Sequence, residues 1–200
     1  MAFTFKEIDN IVDSERADEI ERHMLRAVSW RYNPMGRMPE EQWETHLPNG
    51  LQLDKKLNGF SHRIFQQEFP EVDPIALRMV EPMMDYVMDM IPLSLEVSRV
   101  RAGMFFPDPN GGIHYPHVDV NKPHYTLVYY VNNSDGDTYM WNEKYETEEY
   151  PTYFTLLDSI SPKKGKALLF NGMHYHSSSR PKVSRERIAI TINFIMNEWS

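Results

Sequence analysis

From residue 93 onward the sequence is a succession of short apolar–polar alternations broken by turn residues, and that texture leaves few folds open. The alternating runs are 95–106, 113–119, 125–132, 138–141, 153–158, 166–170, 175–177 and 187–195. Between them stand Pro107-Asp108-Pro109-Asn110-Gly111-Gly112, Asn133-Ser134-Asp135-Gly136, Pro162-Lys163-Lys164-Gly165 and Asn171-Gly172, all turn-forming. Strands this short and this closely spaced predict a jelly roll or barrel.

The first half reads differently. Asp13 or Ser14 can cap a helix whose apolar positions Ala17, Ile20, Met24, Ala27 and Val28 fall three and four apart. Residues 55–67 suggest a weaker second helix, with Leu57, Phe60, Ile64 and Phe65 on one side. Asp73-Pro74 reads as N-cap and first-turn proline of a third, which Pro82 should kink or split. Its methionines, Met79, Met83, Met84, Met88 and Met90, suit adaptable core filling. The expectation is one α+β, mainly β domain over 1–200: helical support in 1–92 packed on one side of a jelly-roll core in 93–200. A chain of 200 residues buries roughly 70% of its unfolded surface and needs no staple.

Composition removes several function classes. There is no cysteine, which excludes disulfide frameworks, thiolate metal sites and cysteine nucleophiles. The formal charge of −8 disfavours a broad nucleic-acid footprint. No run approaches the ~20 apolar residues of a membrane span. Residues 1–7 lack the apolar run and basic lead of a signal peptide. A soluble, cytoplasmic protein is expected.

Histidines cluster late in the chain: His114, His117, His124, His174 and His176. Within His117-Val118-Asp119 the two outer side chains, two apart on a strand, share a face and can hold one ion together. One more imidazole completes the two-histidine, one-carboxylate facial triad of non-haem iron oxygenases, and Met173-His174-Tyr175-His176 offers two candidates. Further on, Arg187 leads the polar face of 187–195 with Ala189, Thr191 and Asn193, while Ile188, Ile190, Ile192 and Phe194 form the other face. A guanidinium fork there suits a small dicarboxylate.

Taken in order, His-x-Asp, a long interval, His, a shorter one and Arg resemble the signature of the Fe(II)/2-oxoglutarate-dependent dioxygenases. The likeness is closest to the prolyl-hydroxylase-like branch and to short phage-type and bacterial oxygenases. Thr126-Leu127-Val128-Tyr129-Tyr130-Val131-Asn132 is similar to the strand that follows the first ligands there, Asp135-Gly136-Asp137-Thr138 to a turn of the family, and Pro162 to Phe170 to the approach to the second histidine. The resemblance spans about residues 100–195 and implies a double-stranded β-helix, Fe(II), and 2-oxoglutarate as cosubstrate. Carried over by position, the iron ligands are His117, Asp119 and His176, with Arg187 and Tyr130 on 2-oxoglutarate. Ala189 stands where many members carry serine, so one cosubstrate hydrogen bond is missing or comes from Thr126. His176 is preferred to His174 because small polar residues and a proline follow it, and because its spacing to Arg187 suits the family.

The implied activity uses O2 to hydroxylate an unactivated C–H of a peptidyl or small-molecule substrate, releasing succinate and CO2. Two alternatives remain: a cupin-like metalloenzyme without 2-oxoglutarate, and a non-catalytic jelly-roll binding module. His114 and His124 read as loop or rim residues, and Arg101, Arg180 and Arg185 as surface charges, with Arg180 the one placed to reach substrate. Trp141, Phe105 and Phe106 read as wall and core, and residues 143–150 as a solvated loop or a lid.

Overall fold

The computed structural model describes residues 4–33, 45–54, 58–147 and 149–197. Among the described residues ten strands and two helices follow in order: β1 (Phe5–Ile8), α1 (Ser14–Arg26), β2 (Arg31–Asn33), β3 (Gly59–Gln66), α2 (Pro74–Met90), β4 (Leu95–Phe105), β5 (His124–Tyr130), β6 (Thr138–Lys144), β7 (Leu156–Ile160), β8 (Ala167–Asn171), β9 (His174–Ser178) and β10 (Arg187–Met196). They form a seven-stranded antiparallel sheet, β1-β8-β5-β10-β4-β3-β2, and a three-stranded sheet, β7-β6-β9. This is the mainly β jelly-roll architecture expected, with helices on one face of the larger sheet.

The alternation in β10 explains why the large sheet is two-sided. Ile188, Ile190, Ile192 and Phe194 join Val100, Ala102 and Met104 of β4 in the main core, under Ile20 and Met24 of α1 and Val80, Met83 and Val87 of α2. The opposite rows, Arg187-Ala189-Thr191 and Arg99-Arg101-Gly103-Phe105, line a cavity instead. Asp13 caps α1 by accepting from the Arg16 amide at 2.7 Å. Asp73 caps α2 by accepting from the Ile75 and Ala76 amides, and its other oxygen meets His62 Nε2 at 2.9 Å, fixing the start of α2 against β3.

Four expectations are corrected. The second helix is strand β3, and residues 55–57 of that run lie outside the described ones. A register shift between Arg63 and Phe65 breaks its period-two pattern, so Phe60, Ile64 and Phe65 imitate helical spacing. Pro82 does not split α2, which runs unbroken over Pro74–Met90; Pro82 is exposed, so the carbonyl it frees can be met by water. Residues 113–119 are no strand but carry isolated bridges, Ile113 to Leu53 and Ser179 and His117 to His176, because Pro116 has no amide to continue a ladder. The first half is also more than helical support, since β1, β2 and β3 complete the large sheet.

His124 is fully buried and its ring lies so close to Gly172 that a Cβ there would sit 2.1 Å from Nε2. Gly172→Ala should therefore cost roughly 1–3 kcal/mol through overpacking, read as a lower urea midpoint with an unchanged slope.

Candidate metal centre

His117, Asp119 and His176 come from the loop before β5 and from β9, and they converge. One ligand atom from each lies within 4.8 Å of the others. The positions are set by backbone: the His117 amide donates to the His176 carbonyl and the His176 amide to the His117 carbonyl, both at 3.0 Å. The imidazole centroids stand 4.5 Å apart. His117 Nε2 is 4.0 Å from Asp119 Oδ1, and His176 Nε2 is 3.8 Å from Oδ2. Two imidazoles and one carboxylate facing a common point fit a divalent iron-type ion, and the partly exposed His117 leaves an open side.

Asp119 is held from behind by the other sheet. Arg99 Nη2 donates to Oδ1 at 2.7 Å, and Asn193 Nδ2 donates to Oδ2 at 3.0 Å. Arg99 Nε also donates to Asn193 Oδ1 at 2.9 Å, so the two holders fix one another. Burial raises the Asp119 pKa, but His176, Arg99, His117 and the Asn193 hydrogen bond outweigh it and hold the carboxyl well below its ordinary range. Burial, then the facing His117, push His176 down to about 3 despite the pull of Asp119. His176 is thereby neutral and able to ligate.

At the far end of the same cavity lies Arg187, only 4% exposed. Its Nε donates to the Gly136 carbonyl at 2.8 Å and its Nη2 to Thr138 Oγ1 at 2.9 Å. Tyr130 Oη donates to the same Thr138 oxygen at 2.9 Å, with the Arg187 guanidinium 5.9 Å over its ring. The cavity encloses about 120 Å³; a single water needs ~10–15 Å³ on this measure, so the space suits a small ligand.

Of the expected site residues, His117, Asp119 and His176 form one cluster; Arg187 lines the cavity apart from them, with Tyr130 joined to it through Thr138. Thr126 is not brought to Arg187: its hydroxyl accepts from Asn193 Nδ2 at 3.0 Å, beside Asp119. His174 is separate, its Nδ1 at 3.1 Å from the Trp141 carbonyl. Arg180 is buried, ion-paired to Asp54 at 2.7 Å and bonded to Asn58, so it braces a loop instead of reaching the cavity. His114 lines the cavity, with Nδ1 2.8 Å from Ser178 Oγ and a buried Nε2 that has no partner among the described residues. Tyr145 and Tyr150 of the 143–150 stretch line a second hollow beside His117, and Tyr150 Oη donates to the Pro116 carbonyl. Arg99, Asn193 and Thr138 are functional positions that the sequence does not mark; their partners are distant in sequence, and only the β10 alternation through Arg187 and Asn193 hints at one of them.

No protein-family model matches the sequence, and no curated protein does. Solved structures match its fold. The non-heme α-ketoglutarate-dependent epimerase SnoN from nogalamycin biosynthesis superposes with a TM-score of 0.65 at 8% identity, over 96% of this chain and 78% of that one. An oxidoreductase of the 2OG-Fe(II) oxygenase family from Burkholderia pseudomallei gives 0.65 at 12% identity, over 98% and 87%. The viral collagen prolyl hydroxylase of Paramecium bursaria Chlorella virus-1, solved with 2-oxoglutarate, gives 0.56 at 14% identity, over 98% and 97%. The chain has the fold of the Fe(II)/2-oxoglutarate oxygenases. No described helix is long and apolar enough to cross a membrane.

His114 and His176 are both held neutral, His114 by burial and by the nearby Arg187, Arg180 and His117. Each binds a proton more readily unfolded, near 6.5, than folded. Metal-free protein should therefore lose stability as pH falls below about 6.5, since the unfolded chain then takes up more protons. Asp119, lowered from 3.8, adds its own loss only below that value. Urea midpoints in chelator should fall from pH 7 to pH 5, and by less in His176→Gln; equal midpoints at the two pH values would contradict the assignment.

Proposed function

We propose that this protein is an Fe(II)- and 2-oxoglutarate-dependent oxygenase that hydroxylates a C–H bond of a small-molecule or peptidyl substrate, with His117, Asp119 and His176 as iron ligands. The carrying observation is that a two-histidine, one-carboxylate cluster and a buried arginine share one cavity. The fold, shared with solved 2-oxoglutarate oxygenases, supports this reading.

When bound, iron and 2-oxoglutarate supply the activation of O2, one oxygen atom going to the substrate C–H and the other to the succinate formed with CO2. The chain's contribution is positioning. Arg99 and Asn193 donate one hydrogen bond to each Asp119 oxygen, leaving lone pairs for metal. Arg187 supplies the fork for the distal carboxylate of the keto acid. Thr138 Oγ1 accepts from both Tyr130 and Arg187, so its own proton is free to donate to that carboxylate. Thr138 can thereby furnish the hydrogen bond that Ala189 lacks, while Phe105, Val128 and Ala189 keep the walls apolar.

Anaerobic addition of Fe(II) and then 2-oxoglutarate should produce the visible charge-transfer band of keto-acid chelation. The band should vanish in His176→Ala, persist in His174→Ala and weaken in Arg187→Ala. Bound metal with no band would favour a cupin-like enzyme, and no bound metal a binding module. Asp119→Ala should abolish hydroxylation; undiminished 2-oxoglutarate turnover in that variant would refute its assignment as a ligand.

Thr138→Val should weaken 2-oxoglutarate binding about tenfold, as expected for a lost hydrogen bond to a charged group. An unchanged Kd in a titration followed by that band would remove Thr138 from the cosubstrate site.

A further inference from the structure

Arg101 was expected to be a surface charge, but it lines the metal cavity. It sits directly opposite Thr191 of β10 on one side and Arg63 of β3 on the other. Like charges facing each other across antiparallel strands destabilise a sheet. No hydrogen bond or ion pair relieves Arg101 among the described residues. Arg99 is already committed to Asp119 and Asn193, and the Arg63 guanidinium lies 4.1 Å over the Phe69 ring.

A separate hollow, on the β2–β3 side, adjoins the metal cavity at Arg99 and Arg101 and continues past Arg63 to Arg31 on the edge strand. Arg31 meets Glu71 only at the exposed rim, at 3.7 Å. Among the described residues lining the two hollows, Asp119 is the one carboxylate, and the metal site uses it. A chain of net charge −8 has thus gathered arginines along one path to its metal centre. Such a path concentrates anions by focusing the field between low-dielectric walls.

We propose that the primary substrate carries a carboxylate or phosphate group and that Arg101, flanked by Arg63 and Arg99, is its anchor. The word substrate rests on the oxygenase reading; the anion site does not. Arg101 is distinct from the cosubstrate arginine. Arg187 pairs with Phe105, four residues along β4 from Arg101, a separation of roughly 13 Å at the usual strand rise. The two arginines thus offer separate anion positions in one cavity. Planar guanidinium forks suit carboxylate and phosphate oxygens in paired hydrogen bonds, and arginine keeps its charge at any working pH.

The test titrates sodium sulfate, standing for phosphate, and sodium acetate, standing for carboxylate, into Zn(II)-loaded protein holding one equivalent of 2-oxoglutarate. Binding is followed by amide and arginine side-chain NMR. Saturable binding is expected, weakened at least tenfold by Arg101→Gln and less by Arg101→Lys, and unchanged by Arg185→Gln, an exposed charge control. The tighter of the two anions identifies the substrate's group. An unaltered anion affinity in Arg101→Gln, with its urea midpoint intact, would overturn the proposal, as would anion binding that 2-oxoglutarate abolishes. If 2-oxoglutarate itself does not bind, the oxygenase reading fails, and the same titrations on protein with Zn(II) alone still decide the anion site. In the active enzyme, acids paired with their carboxamides should differ, the acids alone stimulating 2-oxoglutarate consumption. The KM for an acid should rise at least tenfold in Arg101→Gln, with the KM for 2-oxoglutarate unchanged; equal stimulation by the amides would sink the idea.

Discussion

Asp119 stands on a segment bonded to the three-stranded sheet through the reciprocal amide pair of His117 and His176, yet its carboxylate is held by Arg99 and Asn193 of the seven-stranded sheet. That one carboxylate joins the two layers at the point where the candidate metal ligands meet. Uncompensated, a charge so buried would cost several kcal/mol. Here the Arg99 guanidinium and the Asn193 amide keep it ionised. The carboxylate is therefore fixed in place by the protein alone.

The same economy governs β10 and β4. Their alternating residues send one row into the core beneath α1 and α2 and the other into the cavity. A slip of one residue would exchange the rows, placing Ile188 and Ile190 at the site and Arg187 in the core. Core packing thus fixes the register of the chemistry, and the register shift at Asn193/Phe194 falls beyond Arg187, Ala189 and Thr191. Arg187 and Thr138 close one end of the cavity, with Tyr130 bonded behind Thr138, and the Arg99–Arg101 pair the other, with the histidines between them in a space of modest size.

Much of this was legible because adjacent residues carried it. His117 and Asp119 are two apart, and Arg187 opens a run whose alternation is unbroken over eight residues. Asp73-Pro74 announced α2 through the local chemistry of a cap. What stayed hidden depended on distant partners. Nothing near Arg99 in sequence foretells Asp119, and nothing near Thr138 foretells that Tyr130 and Arg187 both donate to it. β3 was misread as helix because its irregular register spoils the period-two pattern. Residues 113–119 were misread as a strand because alternation alone does not register the missing amide of Pro116.

By itself the sequence determined the strand-rich second half, the two capped helices, the two-faced β10 and the residue types able to hold a metal, since all follow from local periodicity and side-chain chemistry. Only the tertiary structure decided that His176 rather than His174 meets His117 and Asp119, that Thr126 supports the carboxylate end, and that Arg101 faces the cavity while Arg180 braces a loop. Those choices turn on which strands lie side by side, and strand neighbours are set by burial across the whole sheet.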